Sequence, residues 1–128
     1  MDVNGQDYVV AVNESSTAGM ALYNKLSKDK SYDIPMKPFN SDRYVGMFDS
    51  GLPTGELKTD IANWPTGSVV LIGNLIYIFK NTVSNVGAEP SSILATIDTT
   101  TMDRDSIGGW LRTMFNGVED VTVKLFKY

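Results

Sequence analysis

The sequence predicts a single α+β domain over residues 1–128, with a largely antiparallel sheet, a central hairpin at about 68–79 and two amphipathic helices at about 16–27 and 105–116. Three observations carry that expectation. Two β-rich runs, Ser68–Ile72 and Leu75–Phe79, flank a two-residue Gly73-Asn74 step, and glycine supplies the positive φ that a primed hairpin turn needs. Two stretches place apolar residues on one helical stripe: Ala18, Leu22 and Leu26 in the first, Ile107, Trp110, Leu111, Met114 and Phe115 in the second. A chain of 128 residues, 42% hydrophobic and 20% charged, is enough for one buried core and is the usual size of one domain.

Asp7–Val12 is short, β-branched and apolar, and reads as a strand covered on both faces. Asn13-Glu14-Ser15-Ser16 supplies turn and N-cap chemistry for the helix that follows. Residues 28–43 are polar and hold Pro35 and Pro38, which suit neither a helix interior nor a central strand. This stretch is expected to be an ordered loop with Ile34, Met36 and Phe39 packed inward. Tyr44–Phe48 reads as a short strand. Residues 49–66 carry Gly51, Pro53, Gly55 and Pro65 and read as a second long loop, with one helical turn around Asp60–Asn63. After the hairpin, residues 81–92 read as a loop and Ile93–Ile97 as a strand. The second helix stops at Asn116-Gly117. Val121–Leu125 alternates apolar and polar side chains, as a half-exposed or edge strand does.

Both runs of the hairpin are apolar on both faces. A hairpin with one face in water would alternate, so the second face needs a cover, either from this chain or from another subunit. Val69, Leu71, Ile76 and Ile78 are therefore candidate interface residues. Trp64 joins them because it sits in a Gly/Pro-rich stretch, Asn63–Gly67, where an indole either packs inward or anchors a contact.

The chain contains no histidine and no cysteine. That removes the Ser-His-Asp triad, the Cys-His pair, disulfides and the ordinary zinc site. A net charge of −4 gives no electrostatic footprint for nucleic acid. Lys25, Lys28 and Lys30, interrupted by Asp29, read as a solvated helix end rather than a phosphate patch. The first residues have no basic and apolar signal-peptide regions, and the longest apolar run, broken at Gly73-Asn74, is far too short for a membrane helix, so a cytosolic product without a membrane anchor is expected. Asp98, Asp103 and Asp105 offer carboxylates to a hard cation, yet their spacing fits no calcium loop and suits helix capping better. Glu56, Asp60, Glu119 and Asp120 are the carboxylates available to a hydrolase. Gly108-Gly109 reads as a close approach or a kink in the second helix. No catalytic, cofactor-binding or metal-binding residue is assigned.

Tyr44-Val45-Gly46, Leu52-Pro53-Thr54, Gly67-Ser68-Val69-Val70 and Tyr77-Ile78-Phe79 follow one another in an order that resembles modules of tailed-phage fibres and other phage virion proteins. There a leucine-proline step is followed by a glycine-led strand and a hairpin that ends rich in aromatics. The likeness covers about residues 44–81, and it departs at Gly67-Ser68, where those modules usually have Gly-Asp. It implies a virion component, a fibre, capsid-decoration or tail protein, that self-associates. The leading expectation is thus a non-enzymatic binding and assembly module whose partner is itself or another protein. The alternatives are a small acidic inhibitor or adaptor of the counter-defence type that binds a host protein, and a carboxylate-based hydrolase.

Overall fold

The computed structural model describes residues 2–3, 6–7, 10–26, 31–40, 42–47, 57–97 and 120–126. These form β1 (Asp2–Val3), β2 (Gln6–Asp7), β3 (Val10–Val12), α1 (Thr17–Lys25), β4 (Tyr32–Phe39), β5 (Arg43–Met47), β6 (Asn63–Trp64), β7 (Ser68–Ile72), β8 (Leu75–Phe79), β9 (Val83–Ser84), β10 (Ser91–Ile97) and β11 (Val121–Leu125). Nine strands make one sheet in the order β2-β1-β11-β4-β5-β8-β7-β10-β3, and every pairing is antiparallel. β6 and β9 pair separately.

This corrects the expected class. The described fold is mostly β, with one helix rather than a two-helix α+β arrangement. The second expected helix, 105–116, lies outside the described residues, as do Asp98, Asp103, Asp105 and Gly108-Gly109.

The sheet cannot be flat. Strands lie about 4.8 Å apart, so a flat nine-strand sheet would separate its edges by roughly 38 Å. Its two edges are β2 and β3, and Asp7 is only three Cα steps from Val10, a reach of at most about 11 Å. The sheet therefore curls, its seven longer strands forming a half-barrel, and the N-terminal segment bridges the opening. Val10–Val12 is an edge strand with Ala11 exposed, not a strand covered on both faces.

The curl gives the sheet an inner face. Ile34 and Met36 of β4, Tyr44 of β5, Val69 and Leu71 of β7, Ile76 and Ile78 of β8, Leu94 of β10, and Val121, Val123 and Leu125 of β11 all point into it. α1 packs there through Ala18, Leu22 and Leu26. Ser16 caps the helix by accepting the Gly19 N–H at 2.9 Å, and the Asn13 carbonyl accepts the Ser16 N–H at 3.0 Å, so the expected turn and cap both form. The helix lies close against β10: a Cβ on Gly19 would stand 2.7 Å from the Leu94 carbonyl oxygen.

The expected loop at 28–43 is largely strand β4. Its prolines are tolerated because of their register. Pro35 pairs with Thr122 of β11 and lies beyond the β5 ladder; Pro38 pairs with Tyr44 of β5 and lies beyond the β11 ladder. Among the described residues each has a ladder partner on one side only. Their odd spacing sends the two backbone nitrogens to opposite sides, so both missing donors can fall on the empty sides. Ile34 and Met36 are buried as expected, but Phe39 is 45% exposed because it shares the opposite face with Asp33, Pro35 and Lys37. β11, flanked by β1 and β4, is half-exposed by alternation and is not an edge.

The hairpin forms with the expected register, Val69 opposite Ile78 and Ile72 opposite Leu75. Of its two turn residues only Gly73 has positive φ, at 63°, the pattern of a type II′ turn. The helical turn expected at 60–63 is absent: Lys58 bridges to Ser91, and the chain then enters β6. The 81–92 stretch contains β9 and the first residues of β10.

Gly46 sits where β5 lies close against β4. A Cβ there would lie 2.8 Å from both the Pro35 carbonyl oxygen and Ile34 Cγ2. Backbone cannot move aside cheaply, so Gly46→Ala should cost about 1–3 kcal/mol and lower the melting temperature by roughly 3–10 °C in a thermal unfolding scan.

Candidate functional site

The inward register of the hairpin decides where four of the sequence-derived interface residues lie. Val69, Leu71, Ile76 and Ile78 are all 3% exposed or less and pack in the inner core with α1. Trp64 is 3% exposed. The inner face of the two-faced apolar hairpin is covered by this chain, and so are Val70 and Phe79 of its outer face.

The outer cover is built by the segment from Ile61 to Val83. Trp64 stacks on Phe79 with ring centroids 5.1 Å apart and an interplanar angle of 21°, and Val70 completes this second core, with Ile61, Ile72, Val83 and Ile93 at its margin. The indole N–H of Trp64 donates to Ser91 Oγ at 3.1 Å. Ser92, the next residue, points the other way and shares a hydrogen bond with the cap residue Ser16. Adjacent residues of a strand face opposite sides, so this buried Ser91-Ser92 pair ties the outer cover and the inner helix to one strand.

Beside the covered region the outer face stays open. Its side chains fall in rows set by the strand register. One row holds Phe39, Arg43 and Phe79; the next holds Lys37, Val45, Tyr77 and Val70; a third holds Met47, Leu75 and Ile72. Arg43 organises the first row. Its Nε and Nη2 donate to Asp42 Oδ1 and Oδ2 at 2.7 and 3.2 Å. Its guanidinium lies 4.9 Å from the Phe79 ring centroid, 5.7 Å from that of Phe39 and 5.9 Å from that of Trp64. A largely shielded cation with a fork-to-fork acid and aromatic faces around it is fully engaged. It holds the aromatic wall in place and leaves no free charge there. The Asp42 carbonyl also accepts the Lys80 N–H at 2.8 Å, which fastens the start of β5 to the end of β8.

Beyond this wall, Phe39 meets Tyr77 edge-to-face at 6.4 Å, and Met47 is 64% exposed. Val45, Tyr77 and Leu75 are partly exposed between them. Aromatic and methionine side chains in an exposed strip on rigid strands are the composition of a protein contact surface. The candidate interface residues of the hairpin thus face the inner core, while Phe39 and Met47 are exposed on the outer face; the alternation of Asp33, Pro35, Lys37 and Phe39 with Ile34 and Met36 is the sequence signal for that face.

A separate feature is the loop after β9. The Asn85 side chain donates to the carbonyls of Ile61 and Glu89 at 2.9 and 3.0 Å and accepts the Glu89 N–H at 2.9 Å. Ala88 sits at φ 49°, and Val86 projects 92% exposed.

Of the carboxylates named for catalysis, Asp60 and Asp120 are exposed, and Glu56 and Glu119 lie outside the described residues. Among the described residues no group of three or more acidic side chains is placed to hold a metal ion, and no helix is long and apolar enough to cross a membrane. No protein-family model, curated protein or solved structure matches the chain, so the likeness to phage modules rests on residues 44–81 alone.

Ser91→Ala would leave the buried Trp64 N–H without an acceptor. The expected loss is about 1–3 kcal/mol in denaturant unfolding, with the indole fluorescence shifting as the outer cover loosens. Ser91→Ala as stable as the parent would mean that the hydroxyl is not the anchor of Trp64.

Proposed function

We propose that this chain is a non-enzymatic binding and assembly module, working as a structural component of a phage or other viral particle. The observation that supports assembly is the open outer strip: Phe39 and Met47 are 45% and 64% exposed on the same face of adjacent strands, next to a rigid Arg43-centred aromatic wall. Aromatic side chains such as Phe39 and Tyr77 have few rotatable bonds and lose little conformational entropy on docking, which favours contact with another protein surface. The particle setting is supported by the resemblance over residues 44–81.

A second reading, an adaptor for a different protein, is favoured by the loop at Asn85–Glu89. Its hydrogen bonds hold Val86 outward in one fixed geometry, and a preorganised apolar tip suits insertion into a partner's pocket.

Light scattering across a dilution series separates the two. Assembly predicts a solution mass of at least twice the monomer at high concentration, falling on dilution through the micromolar range. A constant monomer mass would reject self-assembly and favour the adaptor reading.

A further inference from the structure

We infer that the contact is made with a second copy of this chain, outer face against outer face, about a two-fold axis that lies in the contact plane along the Pro35–Met47–Leu75 row. This rests on the assembly reading above.

The strand register supplies the axis. Thr122 is opposite Pro35, and Met47 is opposite Leu75, which is opposite Ile72. Pro35 lies one step beyond the Met36–Gly46 pair and so is level with Met47. One row of the outer face, running across β11, β4, β5 and β8, is therefore uncharged and largely apolar. Near its middle stands Met47, after Val86 the most exposed large apolar side chain described.

Charges stand at equal distances on either side of that row. Asp33 and Lys37 are both exposed, both on the outer face of β4, and each two residues from Pro35, about 7 Å along the strand. Neither has an ion-pair partner among the described residues. The other charged residues beside them on this face are on β11 and just before it: Lys124 opposite Asp33, and Asp120 level with Lys37. Arg43, farther along, is already neutralised by Asp42.

A two-fold axis along the row reverses the strand direction and keeps each strand opposite its own copy. At the crest of the curved face Met47 then meets Met47. Asp33 of one copy faces Lys37 of the other, and the reciprocal pair forms on the far side of the axis. This is the self-complementarity of an isologous interface: an apolar centre flanked by charges that meet charges of opposite sign on the other copy. The outer face is the convex side of the curled sheet, so the contact centres on β4 and β5, and even four strands' width, roughly 15 Å by 20 Å, buries well under the about 1,000 Å² of a stable interface, which makes the association weak and transient.

The symmetry gives a test by charge reversal and recombination. In Lys37→Asp, both reciprocal pairs become carboxylate against carboxylate; in Asp33→Lys, both become ammonium against ammonium. Each variant alone should self-associate at least about ten-fold more weakly than the parent. When the two are mixed in equal amounts, a Lys37→Asp chain presents two carboxylates to the two ammonium groups of an Asp33→Lys chain, and both pairs are again opposite in sign. The mixture should recover association to within about three-fold of the parent, read by sedimentation equilibrium on chains that each unfold at the parental temperature. Met47→Glu should dissociate the parent as well. If the parent oligomerises but the single variants associate as it does, or the mixture stays monomeric, this interface is wrong while assembly through another surface stands. If the parent itself is monomeric throughout, the assembly reading fails and this interface with it.

Discussion

Two residues of chain tie one edge of the sheet to the other, and most of the architecture depends on that tether. Because β2 ends at Asp7 and β3 begins at Val10, strands at opposite ends of a nine-strand order cannot be more than a short step apart. The sheet has to curl, the curl creates an inside, and the inside takes one helix. The alternation of every longer strand follows from this, since each side chain faces either the closed inner core or the outer surface. An inner core of aliphatic residues with Tyr44 and Met36, and an outer one of Trp64, Val70 and Phe79, are two consequences of the same bend.

The two cores are coupled through β10. Ser91 and Ser92 are both buried, and each bonds to a different layer: Ser91 Oγ accepts from the indole N–H of the outer cover, and Ser92 shares a hydrogen bond with the cap of α1. Asn13, which starts the turn into the helix, bonds through its backbone and side-chain nitrogens to the carbonyls of Leu94 and Ile93 on the same strand. A buried polar group without a partner is costly, so these contacts fix the position of both layers relative to β10. Outside that frame, the Arg43 cluster stiffens the open part of the outer face. Its rigidity is what makes the strip of Phe39, Val45, Tyr77 and Met47 suitable for recognition.

The parts of this fold that were legible in the sequence are those specified locally. Gly73-Asn74 between two β-branched runs gives the hairpin, Ser16 ahead of the Ala18–Leu22–Leu26 stripe gives the capped helix, and the alternation of Val121–Leu125 gives the last strand. The parts that were not legible depend on partners far away in the chain. Pro35 and Pro38 argue against a strand until the ladders of β11 and β5 are seen to end beside them. That is a property of register and not of residues 28–43. The outward residues of β4 likewise have no meaning as a set until β4 is a strand, so the exposed outer strip is not visible from residues 28–43 alone. The apolar pattern of the hairpin correctly demanded a cover on both faces, but composition alone does not say whether Trp64 supplies it from the same chain. The burial of Trp64 against Phe79 answers that.

The place of β11 between β1 and β4 also sets an order of events during synthesis. β4 is complete about 80 residues before β11 is made, and at ~5–20 residues per second that is a wait of roughly 4 to 16 s. Throughout it, the edge of β4 that β11 will occupy is open, and so is the inner face that Val121, Val123 and Leu125 will complete. The nascent chain has a ready acceptor for any extended apolar segment nearby, including the same segment of a neighbouring chain on the same message. The hydrogen-bonded hairpin and capped helix can form on the ribosome. The curled sheet cannot close until β11 emerges, and until then its open edge is surface that a chaperone would recognise.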